Sequence, residues 1–167
     1  MTLPRPLRGI VPPLVTPLST ANRLDGTGLE NLIERAIAAG CSGVFALGST
    51  GEAQALSYEL RREMVRKTCA IVRDRVPVLV AVSDTAVEES VALGLSAVEA
   101  GATGLVLAPP YYFRMSQQDI LRYVEAVTSA IDAPLYLYNM PGLTKLTIEP
   151  ETVLRAADIR NVAGLKD

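Results

Sequence analysis

Lys166 closes a short apolar run, Val162-Ala163-Gly164-Leu165, that reads as a buried strand with one amine at its far end. An amine held there loses water, so its neutral form gains ground. A neutral, enclosed lysine adds to ketones and forms Schiff bases. Tyr138 stands 28 residues earlier, near the end of a similar run. A phenol beside such an amine can pass protons between it, a carbinolamine and a substrate. Further back, Gly48-Ser49-Thr50-Gly51-Glu52 sets two hydroxyls between two glycines. Glycines let backbone approach a ligand closely, and consecutive N–H groups can form an anion-binding nest. The segment lacks the lysine of a phosphate-binding P-loop and the spacing of a dinucleotide fingerprint, so a carboxylate suits it better than a nucleotide. The plain alternatives are a lysine that ends a strand, a tyrosine that packs its ring at a rim, and an ordinary strand-to-helix turn.

The elements that must position these residues recur along the chain. Apolar β-type runs occupy Gly9–Leu18, Gly43–Gly48, Pro77–Ser83, Gly104–Pro110, Pro134–Pro141 and Val162–Lys166. Between them, apolar residues fall at three- and four-residue spacing, as in Leu29-Leu32-Ile33-Ala36 and Leu60-Met64-Val65-Cys69, which predicts amphipathic helices. Ser57, Asp84, Ser116 and Thr147 are candidate helix N-caps, and Ser116 with Asp119 has capping-box spacing. Ala39-Gly40 and Ala100-Gly101 are candidate helix stops.

Strand–helix alternation with continuous apolar strands predicts a parallel α/β sheet. A repeat near 30 residues predicts a (β/α)8 TIM barrel, of which residues 1–167 supply the first six strands as one N-terminal part of a catalytic domain. An open doubly wound sheet is the alternative. Either architecture collects ligands at the carboxyl ends of its strands. Those ends carry Thr16, Ser49-Thr50-Gly51, Ser83-Asp84, Tyr111-Tyr112, Tyr138-Asn139 and Lys166-Asp167. Tyr136 shares a face with Tyr138 and is expected to lie deeper. Asn139 is expected to secure backbone rather than react, and Glu52 to bond its own loop.

Composition narrows the chemistry. Histidine is absent, which removes Ser-His-Asp and Cys-His catalysis and every histidine metal site. No metal and no cofactor is expected. Net charge is −2 and the sixteen Lys and Arg are scattered, so nucleic acid is not an expected partner. No apolar run approaches the roughly 20 residues of a membrane span. Met1 to Arg8 lacks the apolar centre of a signal peptide, and a cytoplasmic setting is expected. Cys41 and Cys69 are expected to be reduced, with Cys69 in the core.

Four ordered motifs, Gly48-Ser49-Thr50-Gly51-Glu52, Pro110-Tyr111-Tyr112, Tyr138-Asn139-Met140-Pro141-Gly142 and Gly164-Leu165-Lys166-Asp167, span nearly the whole chain. Together they resemble the dihydrodipicolinate synthase/N-acetylneuraminate lyase family of Schiff-base aldolases. The resemblance implies a (β/α)8 barrel, a homo-oligomer that is commonly a tetramer, and pyruvate or another 2-oxo acid as substrate with an aldehyde partner. It makes Lys166 the Schiff-base lysine and Tyr138 the proton-transfer phenol. It gives Ser49, Thr50 and Gly51 the keto-acid carboxylate and Tyr112 the last place in a hydroxyl relay, with Tyr111 in that relay or at a subunit interface.

One departure bears on the substrate. Dihydrodipicolinate synthases usually carry arginine after the Pro-Gly of the fifth strand, where this chain has Leu143. An apolar side chain supplies neither charge nor a bidentate fork, and Lys145, a point charge two residues on, is a poor substitute. The expectation is therefore a metal-independent class I lyase or aldolase acting on 2-keto-3-deoxy-type or sialic-type 2-oxo acids. Its rival within the family is 4-hydroxy-tetrahydrodipicolinate (dihydrodipicolinate) synthase of lysine biosynthesis. A third reading is an incomplete, non-catalytic fragment whose missing strands leave open edges.

Overall fold

The computed structural model describes Leu3 and residues 6–167. The expectation for Met1–Arg8 therefore falls partly outside the described residues. The chain divides into two compact units.

The first unit comprises residues up to Ala81 together with Ser96–Gly104. It opens with a small antiparallel hairpin, β1 (Leu18–Thr20) and β2 (Arg23–Leu24), that the sequence reading did not foresee. Helix α1 (Gly26–Ala38) follows, then β3 (Val44–Ala46), two short 3-10 turns, α2 (Tyr58–Val72) and β4 (Val78–Ala81). Strands β3 and β4 pair in parallel, Val44 opposite Val78 and Ala46 opposite Val80. Both strands are buried along their whole length, which is why they read as unbroken apolar runs.

The expected first strand, Gly9–Leu18, forms only in part. Phe45 donates its N–H to Pro12 O, Leu14 donates to Phe45 O, and Pro13 makes an isolated parallel bridge to Phe45. Pro12, Pro13 and Pro17 have no N–H to offer a ladder, so the run cannot continue as a regular strand. Cys69 packs in the core as expected, and burial pushes its thiol up to about 11. Both cysteines are free thiols.

The second unit comprises Val82–Leu95 and Leu105–Asp167. It holds most of α3 (Val87–Glu99) and of β5 (Gly104–Leu107), then α4 (Gln117–Ala130), β6 (Leu135–Tyr138), a one-turn helix α5 (Pro141–Thr144), α6 (Pro150–Ala157) and β7 (Val162–Lys166). Strands β5, β6 and β7 pair in parallel in chain order. Leu135 and Leu137 are each 1% exposed on one face of β6, with Tyr136 and Tyr138 on the other.

Side-chain caps set the starts of α1, α2 and α4. Ser57 accepts from Leu60 N, and Ser116 and Asp119 form the expected capping box. Gly40 and Gly101, at φ 78° and 101°, take the left-handed turn after α1 and α3. Two expected caps are displaced. Asp84 accepts from Ala86 N, a turn before α3 rather than its cap. Thr147 does not cap α6: Glu149 is the N-cap and Pro150, whose fixed φ suits a first helical residue, sets the start. Asp25, which caps α1 through Gly28 N, went unread in the sequence.

Candidate active site

Strand β7 delivers Lys166 to its place through an irregularity. Leu135 lies opposite Val162, yet Tyr136 lies opposite Gly164, so β7 spends three residues where β6 spends two. This bulge at Ala163 shifts the register by one, and side chains alternate faces along a strand. Gly164 and Lys166 thereby face Tyr136 and Tyr138. Without the shift Tyr138 would meet Leu165, and the amine would leave from the opposite face.

The result is a close pair. Tyr138 and Lys166 are directly opposed at the ends of neighbouring strands. Lys166 Nζ lies 3.8 Å from the centre of the Tyr138 ring, over its face. Tyr138 is buried at 6% exposure and Lys166 is half-buried. The amine is thus sheltered yet reachable, the combination a carbonyl electrophile requires.

Tyr136 shares this face of β6 and is half-buried, where Tyr138 is buried. Its ring faces Gly164, where a Cβ would come within 3.1 Å of two ring carbons. The residue opposite therefore has no side chain with which to cover it.

Asn139 secures backbone, as expected, and does more. Its N–H donates to Lys166 O at 2.9 Å, its Oδ1 accepts from Ile148 N at 3.0 Å, and its Nδ2 donates to Asp167 Oδ1 at 2.8 Å. Asp167 was not singled out from the sequence. The signal was present, since the 28-residue interval that pairs Tyr138 with Lys166 also pairs Asn139 with Asp167.

The other tyrosines of the second unit sit differently. The Tyr112 ring is 79% exposed and meets Phe113 edge-on, with centroids 5.0 Å apart. Tyr111 is half-buried. Tyr123, unforeseen, is buried, and its hydroxyl contacts Ser90 Oγ at 2.6 Å and Asp84 O at 3.2 Å. Burial raises its pKa above the ordinary phenol value, so it stays a neutral donor that pins the Ser83-Asp84 bend. A cavity of about 400 Å³ between Thr85, Pro110, Phe113 and Tyr123 is lined by none of the residues expected at the site.

In the first unit, Ser49, Thr50 and Gly51 form one 3-10 turn directly after β3. Ser49 is half-buried, Thr50 exposed and Gly51 buried. The turn is tied internally: Gly51 N donates to Gly48 O, Glu52 N to Ser49 O, and Thr16 Oγ1 to Gly51 O at 2.7 Å. Two N–H groups of the expected nest, those of Gly51 and Glu52, are therefore spent inside the turn. Glu52 bonds its loop through its backbone N–H and C=O rather than through the carboxylate expected to do so, and lies in the left-handed region at φ 51°.

Residues 6–167 match the model of the dihydrodipicolinate synthetase family. The chain belongs to that family. It is 39% identical over 161 residues to 4-hydroxy-tetrahydrodipicolinate synthase of Salinibacter ruber, covering 96% of this chain and 53% of that protein. It is also 39% identical over 160 residues to YagE of Escherichia coli K12, named as a candidate 2-dehydro-3-deoxy-D-gluconate aldolase, with 95% and 53% covered. Among solved structures, dihydrodipicolinate synthase of Bacteroides thetaiotaomicron superposes with a TM-score of 0.92 at 49% identity, over 97% of this chain and 54% of that one. YagE in complex with pyruvate superposes with a TM-score of 0.93 at 39% identity, with 95% and 54% covered. The fold is accordingly the parallel α/β architecture of part of a TIM barrel, as the strand spacing predicted. The chain spans about half the length of the curated relatives it matches.

Among the described residues, no group of three or more His, Cys, Asp or Glu could hold a metal ion. No described helix is long and apolar enough to cross a membrane.

Proposed function

We propose that this chain carries the Schiff-base residues of a pyruvate-dependent class I lyase or aldolase, acting on 2-keto-3-deoxy-type or sialic-type 2-oxo acids. The observation that supports it is the Lys166 amine over the Tyr138 ring at paired strand ends, in a chain of this family.

In this reading the neutral Lys166 amine adds to the C2 carbonyl, and the carbinolamine loses water to leave an imine. Tyr138 gives its own proton to the departing hydroxyl of the carbinolamine, which leaves as water from a protonated imine, and the Tyr138 oxygen then takes the proton of the substrate's C4 hydroxyl. The C3–C4 bond breaks, its electron pair moving toward the imine nitrogen, and an aldehyde departs. The enamine takes a proton at C3, and water hydrolyses the imine to release pyruvate and the free amine. Ser49 and Thr50 are assigned the keto-acid carboxylate from their motif. Tyr112 is assigned to the relay on the same basis, and Tyr111 to that relay or to an interface between copies of a homo-oligomer. The cytoplasm is the setting proposed.

The substrate class rests on Leu143. It sits on α5, 57% exposed, where a carboxylate-binding arginine would stand. Lys145 offers no replacement, because its Nζ donates to Gly142 O at 2.7 Å and folds back on its own turn. The second reading, 4-hydroxy-tetrahydrodipicolinate synthase, is favoured by the names of the relatives.

Two measurements test these readings. Borohydride with pyruvate should fix a stable adduct on Lys166 of the intact protein and none in Lys166→Ala; an unmodified Lys166 would rule the mechanism out. A coupled assay should show cleavage of 2-keto-3-deoxygluconate or N-acetylneuraminate. Efficient condensation with aspartate semialdehyde instead would select the synthase.

A further inference from the structure

The side chain, the carbonyl and the following residue of Lys166 are all engaged by two consecutive residues, Tyr138 and Asn139. Tyr138 takes the side chain. Asn139 takes the backbone of Lys166 and the carboxylate of Asp167, while its remaining oxygen receives Ile148 N from the segment after α5. That segment is itself held from its far side. Gln117, the first residue of α4, donates to Thr147 O at 2.9 Å and accepts from Glu149 N at 3.2 Å and Thr152 Oγ1 at 2.7 Å. A continuous path of side-chain bonds therefore runs from the start of α4, through Thr147–Glu149, to the carboxyl end of β7.

We propose that Asn139, acting with Asp167, is the positioning residue for the Lys166 nucleophile. This rests on the reading of Lys166 as the Schiff-base lysine. The Asn139 N–H holds Lys166 O and the Asn139 amide holds Asp167, the residue immediately after the nucleophile, so the peptide that follows the Lys166 Cα is fixed from two directions. A lysine side chain has four rotatable bonds, and a small error at its Cα grows toward Nζ. A misplacement near 1 Å can cost about 10²-fold in rate.

Asn139 touches no reacting atom in this scheme, so its loss should slow attack without weakening capture of the keto acid. The experiment is borohydride trapping of pyruvate by the intact protein, followed as rate against pyruvate concentration, with thermal melting run alongside. Asn139→Ala and Asp167→Ala should each lower the limiting trapping rate about 10- to 100-fold. Half-saturation by pyruvate should move less than about threefold. Asp167→Asn keeps an acceptor oxygen for Asn139 Nδ2 and should restore most of the rate. Asn139→Asp sets one carboxylate against another and should be as slow as the alanine variant.

The outcomes separate the proposal from its foundation. Wild-type protein that leaves Lys166 unmodified overturns the functional reading and this proposal together. Wild-type trapping at Lys166 with Asn139→Ala equally fast overturns the positioning role alone. Slow trapping that Asp167→Asn fails to restore overturns the partnership with Asp167. A lowered melting temperature with unchanged trapping shows Asn139 to be structural only, which also overturns the proposal.

Discussion

The turn after β3 and the end of β7 both present functional-type side chains at a strand's carboxyl end, yet they are built by different means. Ser49, Thr50 and Gly51 are placed by main chain: two backbone bonds close the turn, and the Gly51 carbonyl is gripped by Thr16. Lys166 is aimed by the bulge of its strand and then held by side chains, with the Tyr138 ring beneath its amine and the Asn139 amide tied to Asp167. A backbone-built site tolerates exchange of its side chains and resists change in its glycines. A side-chain-built site behaves the other way round. The same molecule therefore offers two sensitivities to mutation.

The sharpest attempt to break this contrast is Lys166→Ala, which should abolish the borohydride-fixed pyruvate adduct while leaving the circular dichroism spectrum intact. Residual adduct on another lysine, seen by peptide mapping, would show that β7 does not carry the chemistry. Next comes Tyr138. Tyr138→Phe keeps the ring under the amine but removes the hydroxyl, and turnover should fall by about 10²-fold. Tyr138→Leu removes both and should also slow trapping. Equal trapping by the Phe and Leu variants would deny the ring any part.

The glycines sharpen the other side. A Cβ on Gly51 would stand 3.0 Å from Leu14 O, a backbone atom with little room to move. Gly51→Ala should cost about 1–3 kcal/mol in urea unfolding. A Cβ on Gly164 meets the Tyr136 ring at 3.1 Å, and a ring at a half-buried position can give way. Gly164→Ala should cost less than about 1 kcal/mol by the same measurement. The reverse order would contradict the distinction between main-chain and side-chain construction.

The smallest effect expected is a pH dependence at the start of α4, the helix behind the Thr147–Glu149 segment. Hydrogen bonds from Ser116, aided by Arg122, hold the Asp119 carboxyl below its ordinary value near 3.8. A carboxyl lowered by folding stabilises the native state above its unfolded value, and that contribution is lost as pH falls through the folded value. Melting scans should thus show a loss between about pH 4 and lower pH that is reduced in Asp119→Asn. Because Asp119 closes the capping box of the helix whose first residue, Gln117, holds Thr147–Glu149, the same acid range should loosen the support behind Asn139.

Much of this was legible in the chain, for reasons that differ by element. Strands β3 to β6 sit inside the predicted runs, because parallel strands buried on both faces read as apolar runs, and β7 matches Val162–Lys166 residue for residue. Ser57, Ser116, Gly40 and Gly101 act where read, since a cap depends on one local residue type. Gly9–Leu18 misled because its apolar pattern says strand while its prolines lack ladder donors. The hairpin of Leu18–Thr20 and Arg23–Leu24 went unseen, being too short to show a period. The Lys166–Tyr138 pairing was legible as a 28-residue interval, but the device that produces it was not. A bulge in a parallel pair leaves no mark in residue type.

That irregularity at Ala163 sets a parity. Insertions or deletions between Asn139 and Asn161 can be absorbed in loops and in α6 without altering which way the last strand's side chains emerge. Removing one residue from Val162–Leu165 would invert them all. Relatives can therefore differ freely in the length of that excursion, whereas the count from the kink to the amine is fixed by geometry.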